Sequence, residues 1–167
     1  MAPERRRDQP PPRTGSDSGS GSGSGEKDVL TGFLTYLRES VLAKVDGVPE
    51  PEVRTPGVPS GTNLLGLVKH LAHVERAVFL GEHVRSWPAT FHAGPDETVA
   101  SVVQDYRDAI AAADRAVAAC PGLEHPSHTG RRAPSMRWAL THLIEETGRH
   151  AGHLDILREL IDGRTGR

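Results

Sequence analysis

In four separate stretches of this chain, apolar residues recur at intervals of three and four, and nowhere do they alternate over a sustained run with a period of two. That spacing belongs to the α-helix, so it restricts the chain to architectures in which helices pack on helices. The first stretch carries Val29, Leu30, Phe33, Leu34, Leu37, Val41 and Leu42 and predicts a helix over 27–46. The second, with Leu64, Leu67, Val68, Leu71, Val74 and Val78, predicts one from Asn63 to His83. Asp96 is the expected N-cap of a third, running through Val99, Val102, Tyr106, Ile110, Ala113 and Val117. The fourth should begin near Ser135 and stop at Gly163, where a left-handed residue would end it. Proline and glycine break the pattern in "GVPEPEVRTPGVPSG" and "CPGLEHPSHTGRRAP", and "SWPATFHAGP" reads as a loop. The expectation is an all-α four-helix bundle.

The chain has 167 residues, enough for one domain with a real core. Residues 1–25 have no periodic apolar pattern and end in a Gly/Ser repeat; they are expected to be a disordered tail, with 26–167 forming the bundle. Arg5, Arg6 and Arg7 lie in that tail and are diluted by Glu4 and Asp8. With 20 Lys and Arg against 22 Asp and Glu, the chain shows no basic footprint for nucleic acid or an anionic membrane. No apolar stretch approaches the ~20 residues that span a bilayer. Cys120, the single cysteine, leaves no partner for an internal disulfide, which fits a reducing cytoplasm, and its place just before "PG" marks it as structural. Nine histidines are many for this length and hint at metal or proton chemistry.

The fourth predicted helix concentrates that hint. Placed on a wheel at about 100° per residue, Ala139, Leu143, Leu154, Leu157 and Ile161 define its buried arc, and Glu146 and His150 fall inside it. They are one turn apart and project from the same side. His142 and His153 sit at the edge of the arc. On the second predicted helix His70 lies at the edge of the interior and Glu75 falls between Leu64 and Val68. A buried carboxylate must be paired, protonated or bound to metal. His70, Glu146 and His150 would together make a three-ligand site with an open position, the arrangement of catalytic rather than structural zinc. Nitrogen and oxygen donors suit Zn, Ni, Fe or Mn. A Glu146–His150 ion pair without metal satisfies the same pattern. Glu75 is expected behind the ligands or in an ion pair of its own, and His142 and His153 either behind the ligands or in solvent. His83, His92, His125 and His128 lie at a helix end or in loops and read as surface residues.

The segments "VPSGTNLLGLVKHLAHVERAVF" and "MRWALTHLIEETGRHAGHLDILRELIDG" resemble the two signature helices of the DinB/YfiT-like superfamily, and more narrowly its actinobacterial mini-circle branch. The likeness runs from about Lys27 to Gly163. It implies an up-down-down-up bundle and a divalent metal held by a histidine of the second helix and an H-x3-H or E-x3-H pair of the fourth, here His70, Glu146 and His150. The E-x3-H form resembles that of the mycothiol-dependent maleylpyruvate isomerase relatives. The resemblance further implies a metal, zinc foremost, that activates a low-molecular-weight thiol of the mycothiol type for transfer to a small electrophile, together with weak homodimerisation. Arg158 is the candidate cation for the carboxylates of such a thiol, the alternative being an i, i+3 pair with Asp155. A metal-dependent hydrolase using bound water and a non-catalytic metal-binding bundle are the other functions this site would fit.

Overall fold

The structure, a computed structural model, describes residues 25–166; of the predicted tail, residues 1–25, all but Gly25 lie outside them. Four long helices account for the periodic stretches: α1 (Glu26–Val45), α2 (Leu64–Leu80), α4 (Val99–Ala119) and α5 (Met136–Asp162). The fourth predicted helix is therefore α5. Ser135 caps it by accepting from the Trp138 amide, and Gly163 ends it with φ 74°. Two local expectations change. The segment predicted to be a loop contains a single helical turn, α3 (Trp87–Thr90), because Ser86 accepts from the Ala89 amide and Pro88 sits where no N–H is needed. The N-cap of α4 is Thr98, not Asp96: its hydroxyl accepts from the Ser101 amide, while Asp96 lies in the turn closed by Glu97 N–H on the Gly94 carbonyl.

Ion pairs fix the helix directions. Glu26 pairs with Arg137 and Lys44 with Asp155, so α1 and α5 run parallel. Lys69 pairs with Glu97 and Arg76 with Asp105, so α2 and α4 run parallel as well. Lys27, at the start of α1, donates to the Cys120 carbonyl at the end of α4, so the two pairs are opposed. The order is up, down, down, up. Among the described residues there is no strand, and no helix is long and apolar enough to cross a membrane.

The core is divided. One apolar cluster is built on Val41, Val45, Leu64, Leu67, Leu71, Val102, Leu154 and Leu157, and the other on Leu34, Val74, Phe79, Ala113, Met136, Leu140 and Leu143. Near the boundary between them, each long helix carries a polar residue, and these make a polar layer: Arg38 on α1, Glu75 on α2, Asp114 on α4 and Thr147 on α5. Arg38 donates to both Glu75 oxygens at 2.7 and 2.6 Å and to Asp114 at 2.8 Å. Arg38 and Glu75 are both buried. Such a pair has a geometry that only one register of α1 on α2 satisfies.

Arg38→Met should cost about 3–5 kcal/mol because it strands a buried carboxylate. Adding Glu75→Leu should recover most of that loss, as read by urea denaturation monitored through helical circular dichroism.

Candidate metal centre

His70 leaves α2 in its first half, and Glu146 and His150 leave α5 in the middle; both helices supply their inner edges to one point. One ligand atom from each residue lies within 4.8 Å of the other two. Glu146 Oε1 is 3.3 Å from His70 Nε2 and 3.1 Å from His150 Nε2. Tetrahedral ligands held at ~2.0–2.1 Å from an ion stand roughly 3.3–3.4 Å apart, so these separations suit one.

The protons on His70 can be placed. Its Nδ1 lies 2.7 Å from Thr90 Oγ1, and that hydroxyl donates its single proton to the Trp87 carbonyl at 2.6 Å. Thr90 therefore accepts, and His70 Nδ1 carries the hydrogen. Burial pushes the His70 pKa down to about 4, so the ring is neutral at physiological pH. Its Nε2 is then a bare lone pair facing a carboxylate oxygen. Burial works against the Glu146 carboxylate, but His150 and the guanidinium of Arg149 beside it hold it below the usual range, so it is ionised. His150 is also lowered by burial, more than the neighbouring Glu146 raises it. A Glu146–His150 hydrogen bond satisfies those two residues but leaves the His70 lone pair directed at a negative oxygen. A cation among the three donors satisfies all of them. The donor set of two imidazole nitrogens and one carboxylate oxygen fits a divalent ion.

Around these donors the structure adds residues that periodicity did not reveal. The Phe91 ring stacks on His70 with centroids 3.8 Å apart, and Trp87 meets the same imidazole edge-on at 5.8 Å. With Thr90 they come from the long connection between α2 and α4. That connection approaches the helix closely because residue 66 is glycine: a Cβ there would lie 2.0 Å from the Phe91 carbonyl oxygen. A glycine one turn before His70, inside an apolar run, was the one sequence signal for this contact. Arg149 reaches the second Glu146 oxygen at 3.4 Å and also pairs with Glu145.

The other sequence candidates scatter. His153 touches the site from outside, its Nδ1 3.3 Å from His150 Nδ1, and is itself exposed. His142 stacks on exposed Trp138 at 4.7 Å, away from the ligands. Glu75 belongs to the Arg38 layer, the ion-pair alternative rather than a place behind the ligands. Arg158 is not free to hold a substrate carboxylate: it pairs with Asp162, not Asp155, and donates to the Lys44 and Asp46 carbonyls, closing the C-terminus of α1. Cys120 caps α4 and donates to the Gly122 carbonyl, beyond the far end of α2. His83, His92 and His125 are exposed, whereas His128 is half-buried and packs against Gly81.

Two outcomes check this geometry. A His70 pKa below its ordinary 6.5 means that the unfolded chain binds the extra proton first, so metal-free protein should lose stability as pH falls from about 6.5 towards 4, and the His70 ring should titrate near 4 by NMR. Gly66→Ala should destabilise by about 1–3 kcal/mol and displace the Phe91 resonances, since the backbone has to give way.

Comparison with known families gives a match over most of the chain. The family profile described as mycothiol-S-transferase covers residues 29–163, which takes in the crossover and all four long helices but for the first three residues of α1. No curated protein matches the chain. With most of its length covered by that profile, and with the all-α bundle the superfamily requires, the chain belongs to the mycothiol-S-transferase family.

Proposed function

We propose that this protein transfers the sulfur of a mycothiol-type thiol to a small electrophile at a divalent metal held by His70, Glu146 and His150, with zinc the best fit to the donor set. Family membership supports the thiol and the transfer. The observation that carries the metal is the convergence of His70 Nε2 and His150 Nε2 on Glu146 Oε1, at 3.3 and 3.1 Å, which places three donors within reach of one ion.

His70, Glu146 and His150 would hold the ion, and once bound it would supply Lewis acidity that lowers the pKa of a thiol and makes the thiolate available at neutral pH. The chain's own residues do the rest. Thr90 fixes the His70 tautomer so that Nε2 points inward, and His153 stands against the outer nitrogen of His150. Glu146 brings one negative charge, leaving the site cationic overall once a divalent ion is bound and therefore attractive to a thiolate. Phe91 covers one face of His70 and keeps water from that side. No protein thiol is near: Cys120, the only cysteine, lies at the end of α4.

Elemental analysis of the purified full chain should find about one divalent ion per chain, and His150→Ala should lose it. Mycothiol-dependent turnover of an alkylating substrate should fall by roughly 100-fold or more in that variant. Transfer that persists undiminished in metal-free protein would sink the reading.

A further inference from the structure

Each of the three residues at the candidate metal centre turns one donor atom inward and has its other one met from outside. His70 presents Nε2, while Thr90 Oγ1 lies 2.7 Å from its Nδ1. His150 presents Nε2, while His153 Nδ1 stands 3.3 Å from its Nδ1. Glu146 presents Oε1 to both imidazoles, and its Oε2 faces the Arg149 guanidinium at 3.4 Å. For the two histidines the outer partner bears on which nitrogen is left for an ion. A carboxylate has a freedom that an imidazole lacks, because both of its oxygens can reach the same ion.

Arg149 is an unexpected neighbour for a cation site. Its charge is permanent, it has no lone pair to offer as a ligand, and it repels any ion held by the three donors. It sits three residues after Glu146 and four after Glu145, so one guanidinium reaches both carboxylates from α5 itself. Glu145 pairs with the other end of the guanidinium and offsets its charge. The Arg149 side chain is 55 % exposed, so these pairs add little to the stability of the fold. A residue that opposes the ion and does little for the fold is explained by what it does to Glu146 Oε2.

The number of donors shows why that oxygen matters. A catalytic site of the zinc type takes three protein donors and leaves the fourth tetrahedral position to water or substrate. Glu146 bound through one oxygen supplies the third donor. Bound through both, it would supply the third and the fourth, and the place for a thiolate would be lost. We infer that Arg149 is a positioning residue that holds Glu146 Oε2 out of the metal site, so that Glu146 serves as a one-oxygen ligand and a position stays open for the thiol. The inference rests on the metal reading proposed above.

Arg149→Met and Arg149→Lys test it on the full-length chain without recourse to turnover, with circular dichroism showing that both variants are folded. Zinc-loaded protein carrying isotope-labelled glutamate is compared by infrared difference spectroscopy with its metal-free form. The splitting between the antisymmetric and symmetric carboxylate stretches is wide for a carboxylate bound through one oxygen and narrow for one bound through two. It should be wide in the wild type, narrow in Arg149→Met and wide again in Arg149→Lys. In cobalt-loaded protein, the thiolate-to-cobalt charge-transfer band reports the binding of 2-mercaptoethanol, an uncharged thiol. Its affinity should fall about 10-fold in Arg149→Met and largely recover in Arg149→Lys, while zinc and cobalt are held at least as tightly as in the wild type. An unchanged splitting or an unchanged thiol affinity in Arg149→Met would reduce Arg149 to a surface ion pair and overturn the inference. Loss of the metal from that variant would also overturn it, by making Arg149 a general support of the Glu146 side chain. If the wild type itself holds neither ion, the metal reading fails and the inference falls with it, an outcome distinct from a wild type that binds metal and a variant that behaves no differently.

Discussion

Two neighbouring helices that run in the same direction cannot be joined by a short turn. α2 and α4 are such a pair, fixed by the Lys69–Glu97 and Arg76–Asp105 contacts, so residues 81–98 must travel back along the bundle before α4 can begin. The return path lies against α2 at Gly66 and there delivers Trp87, Thr90 and Phe91 to His70. The site therefore depends on the topology as much as on its ligands. Had α2 and α4 been antiparallel, a short turn could have joined them and His70 would lack both its aromatic cover and the hydroxyl that fixes its tautomer.

The same bundle handles its buried charges in two different ways. Glu75 is closed off by a bidentate arginine, with a geometry that leaves both its oxygens satisfied. Glu146 is left facing two imidazoles, one of which cannot donate to it. A carboxylate whose two oxygens are both taken by one buried arginine has nothing left to offer a ligand, whereas Glu146, with Arg149 on one oxygen only, keeps the other among two imidazoles. Both sit at the inner edge of a helix, and the difference lies entirely in what the neighbouring helix places opposite.

That difference explains how far the sequence could be read. His70, Glu146 and His150 were legible because helical spacing puts each on the inner side of its own helix, which is a local property. The pairing of Glu75 was only half legible: its inward position called for a partner, but nothing local said that Arg38 of α1 supplies it. Arg158 misled for the same reason, because its position on the wheel was right and its partners, the last carbonyls of α1, belong to another element. Trp87, Thr90 and Phe91 have no period to betray them. They act through a long-range approach, and only Gly66 pointed to it. Helix ends were legible to within a few residues, and the choice of Thr98 over Asp96 turned on which oxygen could reach a free amide.

The position of Cys120 carries a consequence for the lifetime of such a protein. A catalyst that meets alkylating compounds with a cysteine of its own risks being consumed by them, one adduct ending one molecule. Here the only cysteine is half-buried at the end of α4, its sulfhydryl turned to the Gly122 carbonyl and remote from the metal donors. The groups that line the centre are imidazoles, a carboxylate and aromatic rings, all far poorer nucleophiles than a thiolate. Under the proposed function, with a diffusible thiol as the expendable partner, each encounter would cost a replaceable small molecule and leave the polypeptide chemically intact.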